Sequence, residues 1–295
     1  MLGNLDFQRL DIASLSLVES LRAHPADCSV SFVDIEGGLL AGVKQSAFSA
    51  RALAAQLSLA EPYGDGSFLV AAGDRLGVVT SDGSESWTSG LIPKGQRFND
   101  GTVDSLGRLV VGSMSLRYDW KSTENRLFVL NPAGELTTIR EEVGLSNGLG
   151  VEPKSGDLFH VDTLASTIHR IPLISESGAY GPAEVFHQFA SEESPDGIVV
   201  LESGEILVAL WGQSALALIG KNGDEIGRVD VPPMFPTSVC ICNDCGILWM
   251  GSASQPREGA DARILPGGVW STPTAMRQTP NRSWRPVNMN LVGRG

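Results

Sequence analysis

Three short segments place an amide or a carboxylate side chain next to a glycine, just ahead of an apolar stretch. They carry Asn99 in RFNDG, Asn147 in LSNGL and Asp196 in SPDGI. Oxygen ligands of this kind suit a hard divalent cation, which can polarise a carbonyl group for attack by water. The same Asx-Gly pairs are also the common signal for a turn, so each segment alone fits both interpretations.

These segments recur in phase with a weak repeat in which a turn is followed by a short apolar strand. The repeated strands are Ser31–Asp34, Phe68–Gly73, Arg108–Ser113, Asp157–Asp162, Glu205–Leu210 and Ile247–Ser252. Their midpoints lie roughly 37 to 49 residues apart, which is the blade period of a β-propeller. The pattern predicts an all-β fold, a six-bladed β-propeller that forms one domain over residues 1–295.

Further alternating runs follow several of these strands, as expected for the meander within a four-stranded blade. They are Leu39–Val43, Arg126–Leu130, Thr167–Ile171 and Ala215–Ile219. Only Ser49–Leu59 has a helix-like composition, and a strand with a loop fits it equally well. The residues from Gln278 onward lack alternation, and we expect them to lie across the outer surface of the ring.

Composition and charge exclude several functional classes. The 295 residues include 22 basic and 34 acidic side chains, a net charge of −12, with 42 % hydrophobic and 19 % charged residues. This balance supports a folded core and disfavours binding to a phosphate backbone, so no nucleic-acid partner is expected. No apolar run is long enough for a signal peptide or for a membrane span, which favours a cytoplasmic protein without a membrane partner.

Four cysteines are present, Cys28, Cys240, Cys242 and Cys245. A secreted disulfide scaffold would hold more, so we expect reduced thiols. The C-x-C-x-x-C run could bind a soft metal, but it lacks a nearby fourth Cys or His, which favours buried thiols that act as small hydrophobes. Of the four histidines, His160 alternates along a strand and is expected to be a satisfied strand residue; no G-x-S-x-G or H-E-x-x-H motif occurs.

Several longer segments, taken together and in order, resemble the SMP-30/gluconolactonase/regucalcin family. They are RFNDGTVDSLGRLVVGSM, LSNGLGVEPKSGDLFHVDT, PDGIVVLESGEILVALWG, FPTSVCICNDCGILWMGSA and LPGGVW. The resemblance implies a six-bladed propeller that binds one divalent cation through a Glu, an Asn and an Asp. It also implies hydrolysis of a small-molecule sugar lactone.

Residue by residue, the resemblance assigns the metal ligands to Glu19, Asn147 and Asp196, and the substrate contacts to Arg97 and Asn99. Glu19 follows from its position fourteen residues before Val33, although the glycine and proline that flank the family's glutamate are absent. Asp196 is the expected catalytic residue, as a proton relay for metal-activated water. The cation itself, Ca, Zn, Mg, Mn or Fe(II), is left open by oxygen ligands.

We therefore expect a divalent-metal-dependent lactonase that acts on an aldonolactone, as a monomer or a small homo-oligomer. A phosphotriesterase on the same metal site and a non-catalytic calcium-binding propeller are the alternatives. The run that follows Met114, SLRYDW, lacks the acidic or histidine residue that some family members place there, so the substrate contact at this point is absent or altered.

Overall fold

The computed structural model describes residues 5–64, 66–117, 124–131, 134–254, 267–280, 289 and 292–293. Within these ranges the chain forms 27 strands and no helix. The strands are β1 (Gln8–Arg9), β2 (Val18–His24), β3 (Ser29–Asp34), β4 (Leu39–Lys44), β5 (Ala47–Ala52), β6 (Leu57–Tyr63), β7 (Ser67–Ala72), β8 (Arg75–Val79), β9 (Glu85–Trp87), β10 (Gln96–Val103), β11 (Leu109–Ser115), β12 (Asn125–Leu130), β13 (Leu136–Val143), β14 (Ser146–Val151), β15 (Leu158–Asp162), β16 (Thr167–Ile171), β17 (Leu173–Ile174), β18 (Ala179–Tyr180), β19 (Glu184–Gln188), β20 (Ser194–Val200), β21 (Ile206–Trp211), β22 (Ala215–Ile219), β23 (Glu225–Asp230), β24 (Pro236–Cys242), β25 (Ile247–Ser252), β26 (Gly268–Pro273) and β27 (Val292–Gly293). Among these described residues there is no helical segment with the length and hydrophobicity of a membrane span.

Six antiparallel sheets surround a central channel, which confirms the predicted six-bladed β-propeller. From the channel outward, the sheets are blade 1 (β2-β3-β4-β5), blade 2 (β6-β7-β8-β9-β27), blade 3 (β10-β11-β12-β13), blade 4 (β14-β15-β16-β19), blade 5 (β20-β21-β22-β23) and blade 6 (β24-β25-β26-β1). Blade 6 takes its outermost strand from β1, so a strand that precedes blade 1 in sequence completes the last blade and closes the ring. The helix-like segment Ser49–Leu59 belongs instead to β5 and β6 with a turn between them.

The hydrophobic core consists of one cluster between each pair of adjacent blades. Between blades 4 and 5, for example, Phe159 and Ile168 pack with Ile206 and Ala217. The two middle strands of a blade are covered on both faces by the neighbouring blades. Their sequences are therefore nearly continuous in apolar residues, as in β21 (ILVALW) and β22 (ALALI). Polar residues on the innermost strands are therefore exceptions that need compensation.

Each innermost strand contains a β-bulge, and the three Asx-Gly segments lie in these bulges rather than in turns. The register shifts between Phe98 and Gly101 in β10, between Ser146 and Leu149 in β14, and between Pro195 and Ile198 in β20. A bulge adds a residue and changes the direction of the side chains around it. The turn interpretation of these segments is thus wrong, because each segment lies inside a strand.

The glycines of these segments are required by the close approach of neighbouring innermost strands. A Cβ atom on Gly148 would lie 2.4 Å from the backbone oxygen of Asp196. A Cβ atom on Gly197 would lie 2.5 Å from the backbone oxygen of Thr237. Both distances are too short for any side chain, so the Asx-Gly pair reflects strand packing around the channel.

The predicted course of the C-terminal residues is only partly confirmed. Gln278, Thr279 and Pro280 line the central cavity together with residues of all six innermost strands, instead of lying on the outer surface. Val292–Gly293 does pair with β9 at the outer edge of blade 2. Most of the remaining tail, and Tyr118–Trp120 of the run that follows Met114, lie outside the described residues.

The cysteines differ from the expectation of reduced thiols. Cys28 and Cys245 form a disulfide bond between the β2–β3 turn of blade 1 and the β24–β25 turn of blade 6, with their Cα atoms 5.8 Å apart. Ring closure brings these residues together across a sequence separation of 217. Cys240 and Cys242 are free and buried, as expected of small hydrophobes.

We predict that Gly197→Ala lowers the free energy of unfolding by about 1–3 kcal/mol, because the added methyl group meets the Thr237 carbonyl in a packed channel. Chemical denaturation followed by tryptophan fluorescence would measure this. Gly181→Ala is the matched control, since a Cβ atom there meets nothing closer than 3.7 Å. Equal stability of the two variants would contradict the packing argument.

Candidate functional site

Arg97, Asn99 and Asn147 form a hydrogen-bonded row at one end of the channel. Arg97 Nη1 donates to Asn99 Oδ1 at 2.6 Å, and Asn99 Nδ2 donates to Asn147 Oδ1 at 2.6 Å. Asn147 Nδ2 in turn donates to Thr163 Oγ1 at 2.9 Å, and Thr163 Oγ1 donates to the Pro195 carbonyl at 2.7 Å. The row is buried, and these bonds fix the direction of the Asn147 amide, with its oxygen toward Asn99.

Glu19 and Asp196 add two carboxyl groups to this end of the channel. Burial raises the pKa of Glu19 well above its ordinary value, and the Asp196 carboxylate raises it further. Burial, together with the charge of Asp100, likewise raises the pKa of Asp196, which Arg97 only partly offsets. The charges of Asp100 and Asp196 act on Glu19, and that of Asp100 acts on Asp196, although the three residues come from blades 3, 5 and 1.

Glu19 reaches the channel although it lies one position away from the bulge residues of the other blades. In the register of the sheets, Ser20 corresponds to Asn147 and Asp196, whereas Glu19 corresponds to the residues before them. Ser20 has φ of 54°, in the left-handed region that glycine favours. This backbone conformation changes the course of β2 directly after Glu19.

A second group of charged residues lies deeper in the channel and was not predicted from the sequence. Arg22 Nε pairs with Glu61 Oε2 at 2.6 Å, and Arg22 Nη2 donates to the Gly101 carbonyl at 2.7 Å. These residues, with Asp100, line a cavity of about 70 Å³ beneath the row. Burial raises the pKa of Asp100, and Arg22 opposes that shift.

The channel therefore carries more negative than positive charge. When all are ionised, the carboxylates of Glu19, Glu61, Asp100 and Asp196 outnumber the guanidinium groups of Arg22 and Arg97 by two. Such an excess in a buried space calls for protons or for a cation.

One atom in particular lacks a partner. Asp196 Oδ1 is buried and accepts no hydrogen bond from any residue that the structure describes. Unsatisfied buried carboxylate oxygens are costly, and a bound ion is one of the few ways to satisfy them. The oxygens of Glu19, Asn147 and Asp196 thus form an all-oxygen donor set with an excess of negative charge, which fits a hard divalent cation.

His160 lies behind this site and is satisfied, as expected. Arg140 Nη1 lies 2.9 Å from His160 Nδ1 and can only donate, so His160 Nε2 carries the proton and donates to Ser146 Oγ at 2.8 Å. A histidine that donates to a serine cannot accept the serine proton. The pair Ser146–His160 is therefore a structural contact behind Asn147 and not a nucleophile with its base.

The structure brings all five predicted site residues to one end of the channel, while their roles as ligands or catalysts stay predictions. Sequence reasoning missed Asp100, Arg22 and Glu61. For Glu61 the available signal was a charged residue next to the mainly apolar run LSLA of β6, whereas β2, which holds Arg22, is mixed in polarity and offered none. Asp100 lay beside Asn99 in the quoted motif. The predicted contact between Asn99 and the substrate has to compete with bonds inside the protein. The amide oxygen of Asn99 accepts from Arg97, and its amide nitrogen donates to the Ser146 carbonyl and to Asn147.

We predict that Arg22→Met lowers the free energy of unfolding by about 3–5 kcal/mol, because it leaves Glu61 buried without its partner. The double variant Arg22→Met/Glu61→Gln should recover most of this loss. Burial already raises the pKa of Glu61 above its unfolded value, so the single variant should lose stability as the pH rises above about 4.5. Denaturation curves at pH 5 and pH 8 would measure both effects; no recovery in the double variant would contradict the ion-pair argument.

A separate prediction concerns acid stability. Burial and the charge of Arg140 lower the pKa of His169 to about 4. The unfolded chain binds this proton near pH 6.5, whereas the folded chain binds it only near pH 4. The free energy of unfolding therefore decreases as the pH falls from about 6.5 toward 4. His169→Gln should reduce the difference in unfolding free energy between pH 7 and pH 5 by roughly 1–2 kcal/mol. An unchanged difference would place the acid-sensitive group elsewhere.

Named relatives align with more than two thirds of this chain. A pentonolactonase, XacC, from Haloferax volcanii is 29 % identical over 242 residues, which cover 80 % of this chain and 81 % of that protein. A 6-deoxy-6-sulfogluconolactonase from Pseudomonas putida is 25 % identical over 218 residues, covering 70 % of this chain and 73 % of that protein.

Solved structures share the fold. The luciferin-regenerating enzyme has a TM-score of 0.87 at 17 % identity, with 96 % of this chain and 100 % of that chain covered. A calcium-binding protein, regucalcin, from Agrobacterium tumefaciens has a TM-score of 0.80 at 22 % identity, with 97 % and 99 % covered. Residues 17–254, more than half of the chain, match the SMP-30/Gluconolactonase/LRE-like region. The chain therefore belongs to the SMP-30/gluconolactonase/LRE-like family.

Proposed function

We propose that this protein is a hydrolase that opens a sugar lactone with the help of one divalent cation held by Glu19, Asn147 and Asp196. The observation that carries the proposal is the buried Asp196 Oδ1 without a partner, in a channel whose charged residues leave an excess of two negative charges. One divalent cation would balance that excess. The lactonase names of the relatives support the choice of ester.

A cation bound there would polarise the lactone carbonyl and make water a better nucleophile. The residues of the chain supply the remaining functions. Asp196 accepts the proton of the attacking water, because its buried Oδ1 has no hydrogen-bond partner among the described residues. It then passes the proton to the ring oxygen that leaves as an alcohol.

Arg97 is the candidate for binding the substrate. It lies at the same end of the channel as Asp196, and its charge lowers the pKa values of both Asp196 and Glu19. A guanidinium group suits a polyhydroxylated or anionic ring. Asn99 accepts a hydrogen bond from Arg97 with its amide oxygen and donates one to Asn147 with its amide nitrogen. Its contribution is to hold the Arg97 guanidinium group and the Asn147 amide in fixed positions relative to each other.

We predict that Asp196→Asn lowers kcat for lactone opening by a factor of about 10²–10⁴, the usual effect of removing a general base. A pH-indicator assay with a panel of pentono- and hexonolactones would measure it. Treatment with EDTA should abolish turnover, and return of Ca, Mg, Mn, Zn or Fe(II) should identify the working ion.

The matched control for this experiment is Asp230→Asn. Asp230 is an exposed carboxylate and the last residue of β23, the outermost strand of blade 5. It makes the same chemical change far from the channel and should retain the parent activity. A phosphotriester in the same panel tests the alternative chemistry. Lactonase activity of Asp196→Asn equal to that of Asp230→Asn, or activity that survives EDTA, would overturn the proposal.

Metal affinity should also depend on pH with a defined sign. Burial raises the pKa values of Glu19 and Asp196, and a cation binds their ionised forms, so binding must release protons. The affinity for Ca²⁺ or Mn²⁺, measured by isothermal titration calorimetry, should therefore increase with pH, with one ion bound per chain. Asn147→Ala should weaken this binding, and an affinity independent of pH would exclude the buried carboxylates as ligands.

A further inference from the structure

Three sulfur atoms meet where the ring closes. Cys28 and Cys245 form the disulfide bond between blades 1 and 6, and the Sγ of Cys242 lies within 4.8 Å of both of their sulfurs. Cys242 is a free, fully buried thiol at the end of β24. Cys242 and Cys245 belong to the same tight turn, in which Gly246 N donates to the Cys242 carbonyl at 2.9 Å.

The partner across the seam, Cys28, is held in an unusual position. It is exposed, and its φ of 56° lies in the left-handed region, which a cysteine rarely occupies. The disulfide therefore joins an exposed residue, Cys28, to a half-buried one, Cys245, and the buried Cys242 thiol lies within 4.8 Å of both of their sulfurs. Exposed disulfides are commonly the labile ones.

We propose that Cys28, Cys242 and Cys245 form a thiol–disulfide exchange site that presents Cys28 as a modifiable surface thiol. The Cys242 thiolate attacks Cys245 Sγ, a Cys242–Cys245 bond forms, and the Cys28–Cys245 bond breaks. Cys28 leaves as the thiolate and takes up the proton that Cys242 lost, so no external oxidant or reductant is consumed. Attack at Cys245 is favoured over attack at Cys28, since it releases the thiolate of the exposed residue Cys28, whereas attack at Cys28 would release that of the half-buried Cys245.

The exchange would remove a covalent link from the seam without opening the ring. Blade 1 stays attached to blade 6 through the Leu15–Gly267 and Leu17–Ala253 bridges and through the bond from Leu21 N to Ser238 Oγ at 3.2 Å. A disulfide that spans 217 residues restricts the unfolded chain strongly, whereas one within a four-residue turn restricts it little. The exchanged protein should therefore be folded but less stable.

The test uses the full chain, purified without reductant and incubated with excess iodoacetamide at mildly alkaline pH under native conditions. Mass spectrometry of the unreduced digest should find one alkyl group on Cys28, loss of the link between the Cys28 and Cys245 peptides, and an internal Cys242–Cys245 bond. The alkylated protein should melt at a lower temperature than the starting protein, by the same amount as Cys28→Ser. A wild-type protein that keeps the Cys28–Cys245 link throughout would overturn the proposal.

Two variants separate exchange within the cluster from simple exposure of Cys28. Cys242→Ser should lower the rate of Cys28 alkylation at least tenfold, whereas Cys240→Ser should leave that rate unchanged. Cys240 is the matched control because it is also a free buried thiol of β24, and burial raises its pKa to about 12. Alkylation of Cys28 in Cys242→Ser at the wild-type rate would overturn the proposal, and Cys242→Ala repeats the measurement if the serine variant does not fold.

Discussion

The burial of several carboxyl groups around a single axis is the constraint on which this ring depends. The innermost strands approach so closely that Gly148 and Gly197 leave no space for a Cβ atom. The bulges at these glycines direct Asn147 and Asp196 to the channel, where Glu19 joins them from blade 1. These groups are buried or half-buried there, so their charges must be balanced by their neighbours.

Two arginines provide part of that balance, one in each part of the channel. Arg22 forms a direct ion pair with Glu61 and opposes the rise in the pKa of Asp100, yet the pKa values of both carboxyl groups stay raised. Arg97 is shared between Glu19 and Asp196 and does not prevent a rise in either pKa. What distinguishes the end with the predicted site residues is Asp196 Oδ1, which has no hydrogen-bond partner among the described residues. Buried carboxyl groups with shifted pKa values are typical of functional sites.

Much of the fold, and only part of the site, could be predicted from the sequence. The apolar strands recur because every blade is covered on both faces, and that repeat alone identified the six blades. The Asx-Gly segments were ambiguous, since a bulge and a turn use the same residues. Arg22 and Glu61 were missed because their pairing depends on blades 1 and 2 meeting at the channel. The Cys28–Cys245 bond was missed for a similar reason: only closure of the ring brings the two residues together.

The positions of the candidate ligands connect the site to the closure of the ring. Glu19 belongs to blade 1, on one side of the seam, and Asn147 and Asp196 belong to blades 4 and 5. A cation held by these three residues, as proposed, would join blades that share no hydrogen-bonded strands and would replace repulsion between Glu19 and Asp196 by attraction to a common charge. Its binding energy would then stabilise the folded ring as a whole, since the unfolded chain cannot bring the three ligands together. The disulfide links blade 1 to blade 6, a blade that contributes none of these ligands, so it and a bound cation would hold the same ring together at different places.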